Sequence, residues 1–202
     1  MSKNHKDEHV LVFPSNLLKN IGYFQGLSFE INKYLNVIKP KYSSLPRSEA
    51  EENPEYKQLI SYAILRHGKK IFSYKRGKLL SEKRLFDNYS IGVGGHILGN
   101  NDRDLFEEEQ TKGVEREIRE EIFIGTNYQS RHVALLNDDS NEIGKVHFGL
   151  IYLFDLDEAN VKKKEKSINE QTFFTVQELK KNIRRYENWS RICIDNIERL
   201  TD

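Results

Sequence analysis

Three carboxylates stand within five residues of one another at Glu117, Glu120 and Glu121, in the run Arg116-Glu117-Ile118-Arg119-Glu120-Glu121-Ile122. On a helix, residues three and four apart are neighbours, so Glu117 would lie beside both others. At about 100° per residue the three fall within an arc of about 100°. Crowded carboxylates repel, and a hard divalent cation turns that repulsion into coordination. Such a cation neutralises phosphate charge and lowers the pKa of bound water. A carboxylate outside its coordination shell could then act as general base. The competing reading is a solvated charged face, with Arg116 paired to Glu120 and Glu115 to Arg119.

The elements around this run must position it. Val114, Ile118 and Ile122 recur every four residues, the stripe of a helix packed on a sheet, and Phe106 extends it. Upstream, Tyr89–Val93 reads as a strand that ends at Gly94-Gly95. LISYAILR and KIFSYKR read as two strands joined by a turn at His67-Gly68-Lys69. Residues 9–13, 132–136, 146–155 and 173–176 also read as strands, and 177–200 as one C-terminal helix. Prolines 40, 46 and 54 make 39–56 a loop, while 15–38 resist assignment. The polar stretches 137–144 and 157–171, the latter with Lys162-Lys163-Lys164, read as solvated loops. Strands, a central helix, strands and a terminal helix indicate an α/β (α+β) sandwich with a mixed sheet. The division expected is an N-terminal extension at 1–57 and a catalytic domain at 58–202.

Context favours the catalytic reading of the carboxylates. The segment Gly95-x12-Glu108-x7-Arg116-Glu117-Ile118-Arg119-Glu120-Glu121-Ile122-Phe123-Ile124 resembles the Nudix box, G-x5-E-x7-R-E-U-x-E-E-x-G-U with U aliphatic. It departs from the box in two places: twelve residues rather than five separate Gly95 from Glu108, and Phe123 replaces a glycine. The runs Phe24-Gln25-Gly26, Tyr56-Lys57-Gln58, Arg84-Leu85 and Ser90–Ile97 are similar to a bacterial subgroup of Nudix phosphoesterases.

That resemblance implies a hydrolase that uses Mg²⁺ or Mn²⁺ to cleave a diphosphate bond in a small nucleotide-like substrate. It assigns Glu117, Glu120, Glu121 and the carbonyl of Gly94 to the metal. Glu117 or a nearby carboxylate would orient or deprotonate water, and Arg116 would hold a box glutamate by an ion pair. Gly95 would admit the diphosphate to the backbone. His96, Arg66, Arg84 and Glu170 are further substrate-binding candidates, and Arg76 could also supply phosphate-binding charge. Glu108 would support the helix or a second metal's water. His147 reads as a wall or core residue, and Cys193 as buried. The alternative is a Nudix-like domain that senses a nucleotide without turning it over. An isomerase on the same fold would be expected to need a cleft cysteine.

The composition sets outer bounds. Of the 202 residues, 37% are hydrophobic, enough for a real core. A net charge of +1 gives no call for a nucleic-acid partner. One cysteine excludes an intrachain disulfide. The polar residues 1–8 lack the apolar run of a signal peptide, so a cytoplasmic protein without membrane segments is expected. Residues 1–56 could close the site, form a homodimer contact or complete the core.

Overall fold

The computed structural model describes residues 8–77, 88–99, 114–116, 118–164 and 168–202. Its α/β class and large mixed sheet are those that the order of elements implies. Two compact units are interleaved along the chain: residues 1–61, 95–115 and 134–150, and residues 62–94, 116–133 and 151–202. No helix among the described residues is long and apolar enough to cross a membrane.

In the first unit, β1 (His9–Pro14) carries four successive buried residues, Val10, Leu11, Val12 and Phe13. A strand covered on both faces reads as such a run rather than an alternation. It pairs antiparallel with β3 (Ser43–Pro46), as Val10↔Leu45, and with the start of β4 (Tyr56–His67), as Val12↔Gln58. The expected loop at 39–56 therefore contains a 3-10 turn (Lys39–Lys41), β3 and the short α3 (Arg47–Ala50). The prolines sit where no internal N–H is needed: Pro40 opens the 3-10 turn, Pro46 ends β3, and Pro54 precedes β4.

The unassigned stretch 15–38 holds α1 (Leu17–Ile21), β2 (Gly26–Ser28) and α2 (Ile31–Ile38). On α2, Tyr34, Leu35 and Ile38 are buried, a stripe of one helical face. β2 pairs with the end of β9 (Tyr128–Asn137), as Leu27↔Leu136. The polar loop that follows β9 folds into α5 (Glu142–Lys145), whose start is capped by the Asn141 carboxamide accepting the Gly144 N–H at 2.9 Å. A Cβ at Gly144 would lie 1.7 Å from the Asp138 carbonyl oxygen, so glycine is obligatory there.

In the second unit, the end of β4 turns into β5 (Lys70–Arg76) through Gly68-Lys69, with His67↔Lys70 paired and Gly68 at φ 56°. β12 (Ile168–Thr175) pairs with β5 as Phe173↔Phe72, with a register shift between Asn169 and Thr172. β6 (Tyr89–Ser90) pairs with β5 as Tyr74↔Ser90, and β7 (Gly92–His96) follows. That strand continues through the glycines where the sequence suggested an end. Residues 114–116 and 118–121 are helical and are called α4. β8 (Ile122–Ile124) comes next and pairs with β11 (Val161–Lys163) as Lys162↔Phe123. The lysine run is thus partly strand, with Lys162 and Lys163 exposed.

The single terminal helix expected at 177–200 is broken into α6 (Val176–Lys181), a 3-10 turn (Ile183–Arg185), α7 (Asn188–Asp195) and α8 (Ile197–Thr201). A Thr175/Glu178 capping box starts α6. The break before α7 has a definite cause. Glu187 is extended, and its carboxylate accepts the N–H groups of Trp189 and Ser190 as an N-cap.

Candidate active site

The apolar row of α4 packs as its spacing dictates. Val114 is 2% exposed, Ile118 4%, and Ile122, the first residue of β8, 1%. At 100° per residue, Glu121 stands beside Val114 and Ile118, whereas Glu120 is turned away. Accordingly Glu121 is half-buried and Glu120 exposed. The last turn is held by Lys164, whose N–H donates to the Glu121 carbonyl at 2.9 Å and whose Nζ donates to the Arg119 carbonyl at 2.7 Å. Carbonyls at a helix C-terminus have no partner within the helix, and a cation there complements the helix dipole. Lys164 is therefore a positioning residue that reading the lysine run as a solvated loop misses. No local signal marks it, because its place depends on the pairing of β8 with β11.

A second set of groups fixes the start of the glycine strand. The Tyr74 hydroxyl donates to the Gly92 carbonyl at 3.0 Å, and the Ser90 hydroxyl donates to the same oxygen at 3.0 Å. A Cβ at Gly92 would lie 2.0 Å from the ring of Tyr62, so strand and ring are in direct contact. The Tyr62 hydroxyl lies 2.9 Å from Glu187 Oε1 and 2.7 Å from Ser190 Oγ, and the latter accepts the Ile91 N–H at 3.0 Å. Burial raises the Tyr74 phenol far above its ordinary value, and the charge of Glu121 adds to the rise. Tyr74 thus holds the strand that leads into Gly94.

In the first unit, the Gly95 carbonyl accepts the Ser61 hydroxyl at 3.3 Å. His96 Nε2 lies 3.2 Å from His147 Nε2, and His147 Nδ1 lies 2.8 Å from the Ile143 carbonyl. A carbonyl only accepts, so the proton of His147 is on Nδ1 and its Nε2 receives the His96 N–H. Burial pushes the His147 imidazole down to about 4, which keeps it neutral, as that tautomer requires. His147 is more than a wall residue, since it sets the orientation of His96.

Comparison with known proteins bears on the chemistry. No family model matches the chain. It is 33% identical over 202 residues to protein YmaB of Bacillus subtilis (strain 168), covering 95% of this chain and 98% of that protein. The crystal structure of Tm1382, a candidate Nudix hydrolase, is similar at a TM-score of 0.77 and 28% identity, over 94% of this chain and 98% of that one. The chain belongs to the Nudix hydrolase family. The Nudix domain of Shewanella oneidensis NrtR complexed with ADP ribose shares the fold, at a TM-score of 0.52 and 14% identity, over 72% of this chain and 89% of that one.

Within this Nudix hydrolase the remaining candidates fall in different places. Arg116 is half-buried on α4. Arg66 donates to Asp155 and to the Thr201 carbonyl near the end of the chain. Glu170 lies at the register shift of β12 with φ 44°, accepts the Tyr89 hydroxyl at 2.5 Å and pairs with Lys75 at 3.5 Å. The Tyr89 hydrogen bond holds its carboxyl below the usual range. Arg185 donates to the same hydroxyl at 2.9 Å. Cys193 is buried, which pushes its thiol up and leaves it inert as a nucleophile. Glu117, Arg84 and Glu108 lie outside the described residues. Among the described residues no group of three or more His, Cys, Asp or Glu is placed to hold a metal ion.

Proposed function

We propose that this Nudix hydrolase cleaves a diphosphate bond in a nucleoside diphosphate derivative, with Mg²⁺ or Mn²⁺ as cofactor. One observation carries the reading beyond the family. The hydroxyl of Tyr74 holds the glycine strand at Gly92, and the ammonium of Lys164 holds the last turn of the carboxylate helix. The donors to hand, the carboxylates of Glu120 and Glu121 and the carbonyl of Gly94, are all oxygen. Oxygen donors suit a hard cation, and the sequence adds Glu117 to them. Such a cation, when bound, neutralises phosphate charge and acidifies water.

The chain's own groups do the rest. Glu117 or a carboxylate beside it accepts a proton from water as the water oxygen bonds to phosphorus. The bond from that phosphorus to the bridging oxygen breaks, and the leaving group departs with the oxygen. Arg116 holds a box glutamate in its charged form. Gly95 lets the backbone approach the diphosphate, and His96, oriented by His147, contacts the substrate. Glu170 and Arg84 remain binding candidates on the strength of the sequence, whereas the bonds of Arg66 support a structural role.

The test is turnover of nucleoside triphosphates, dinucleoside polyphosphates, nucleotide sugars and ADP ribose with each metal. A Glu120→Gln/Glu121→Gln variant runs beside the wild type. The expected result is hydrolysis that falls at least about a hundredfold in the variant while the fold is retained. Full activity in the variant, or no turnover of any compound with either metal, would overturn the reading.

A further inference from the structure

The start of α7 serves more than its own helix. Its cap is Glu187, whereas Ser, Thr, Asp and Asn ordinarily fill that position, since a short side chain suffices to reach the N–H groups of the first turn. The longer side chain reaches further. Glu187 Oε2 accepts the Trp189 N–H at 2.8 Å, and Oε1 accepts the Ser190 N–H at 2.8 Å, the Tyr62 hydroxyl at 2.9 Å and the Ser190 hydroxyl. The Ser190 hydroxyl is thereby oriented. It gives its one proton to the carboxylate and accepts the Ile91 N–H at 3.0 Å. Ser190 is fully buried and Glu187 only 7% exposed, so water competes little for these bonds.

Ile91 joins β6 to β7, and its neighbours are held in a similar way. The Glu187 N–H donates to the Tyr89 carbonyl at 2.9 Å. The Gly92 N–H donates to Ser90 Oγ at 3.2 Å, and the Gly92 carbonyl accepts the Tyr74 hydroxyl at 3.0 Å. The first turn of α7 therefore grips the approach to the glycine strand at both Tyr89 and Ile91. Gly94 follows Gly92 by two residues, about 7 Å along an extended strand. Over so short a distance the bonds at Ile91 and Gly92 set where the Gly94 carbonyl stands. Ile91, Gly94, Glu187 and Ser190 belong to the second unit, as do Glu120 and Glu121.

We propose that Ser190, oriented by Glu187, is a positioning residue for the metal. Its bond to the Ile91 N–H holds the glycine strand so that the Gly94 carbonyl meets the cation bound by Glu120 and Glu121. The proposal rests on the metal-dependent reading above and adds two residues that act through the strand alone. It also accounts for a glutamate at a position where a shorter cap would serve the helix equally well.

The test is a calorimetric titration of Mn²⁺ without substrate, on wild type, Ser190→Ala, Ser190→Thr and Thr175→Ala. The Glu120→Gln/Glu121→Gln variant defines binding away from the carboxylate helix, which is subtracted. Ser190→Ala should weaken Mn²⁺ binding about tenfold, as loss of a group behind a metal ligand commonly does. Ser190→Thr keeps the hydroxyl and should recover most of the affinity. Thr175→Ala removes the cap of α6, whose side chain pairs with Glu178 in the same unit. It should lower the melting temperature and leave Mn²⁺ affinity as in wild type. A merely structural Ser190 would behave like Thr175, so a lower melting temperature with wild-type affinity in Ser190→Ala would overturn the proposal. An equal loss of affinity in Thr175→Ala would overturn it too. If Ser190→Ala does not fold, Ser190→Cys decides, because it fills the space yet offers Ile91 only a weak acceptor. Weakened Mn²⁺ binding in that variant supports the proposal, and wild-type affinity overturns it. A wild type that binds no Mn²⁺ would sink the metal-dependent reading and this proposal with it. Mn²⁺ bound equally by wild type and Ser190→Ala would sink the positioning role alone.

Discussion

Each unit carries a basic side chain on a strand of its sheet, Lys57 buried and Arg76 half-buried, and the two are treated in opposite ways. Lys57, on β4 in the first unit, is 3% exposed, and its ammonium makes three bonds: to Asp139 Oδ1 at 2.7 Å, to the Gly144 carbonyl at 3.0 Å and to the His147 carbonyl at 3.3 Å. Arg76, on β5 in the second unit, has a buried Nε without a partner among the described residues. An ammonium has three donors, and Lys57 uses them all on the protein. Burial lowers the pKa of Lys57, and Asp139 works against the fall. In the case of Arg76 burial also disfavours the charge, but Tyr74, Glu187 and Glu121 outweigh it and the pKa is raised. Near neutral pH only the two carboxylates among these carry charge. A buried charge that the fold satisfies is a fastening, whereas a buried donor left without a partner is a cost to the fold.

The largest expected effect removes the fastening. Lys57→Met strands Asp139, Gly144 and His147 as acceptors without their donor. Breaking a buried pair costs about 3–5 kcal/mol, and the part-exposure of Asp139 moves the expectation to about 3 kcal/mol. Urea unfolding of the two proteins measures it. A variant within about 1 kcal/mol of wild type would mean that Lys57 does not fasten the first unit.

The carboxylate helix was legible because its signal is local. The i, i+4 row of Val114, Ile118 and Ile122 needs only the chain's own period, and all three are buried. The turn at Gly68 is local in the same way, and so is the apolar run Val10–Phe13. The broken terminal helix was not legible. Glu187 ends it because its carboxylate serves both the start of α7 and Tyr62, 125 residues earlier. Lys164 was hidden too, as its bonds to α4 exist only once β8 and β11 have paired. The site divides along the same line. Residue types and spacing marked Glu120 and Glu121, but that Arg66 is tied down follows only from Asp155 and Thr201 beside it, as the unpartnered Nε of Arg76 follows only from the packing around β5.

A smaller effect tests how completely the first unit is paired. The backbone of His147 takes part in fastening Lys57, and its ring accepts the His96 N–H, with Glu51, Arg47 and Lys57 the charges acting on it. Its pKa of about 4 lies below the unfolded value near 6.5. Between these values the unfolded chain binds more protons, so stability is complete above about pH 6.5 and falls as the pH drops toward 4. The loss is at most roughly 1.4 kcal/mol per pH unit. Unfolding of wild type and His147→Gln at pH 7, 6 and 5 isolates it, because titration of other groups is common to both. Parallel pH profiles would show that His147 is not held neutral.

The smallest expected change in stability is at Arg76, and it is the one that decides the comparison. If the guanidinium is not a fastening, Arg76→Met removes a half-buried charge with a poorly satisfied Nε and supplies apolar volume. Such replacements are neutral or stabilising in many proteins. Urea unfolding without added phosphate should therefore place Arg76→Met within about 1 kcal/mol of wild type, in either direction. A loss as large as that expected for Lys57→Met would show that Glu121 or Glu187 is the true partner of Arg76. A double-substitution cycle with Glu187→Gln would then identify which, since contacting groups couple and distant ones add. An unchanged stability would show that the first unit depends on its basic side chain and the second does not.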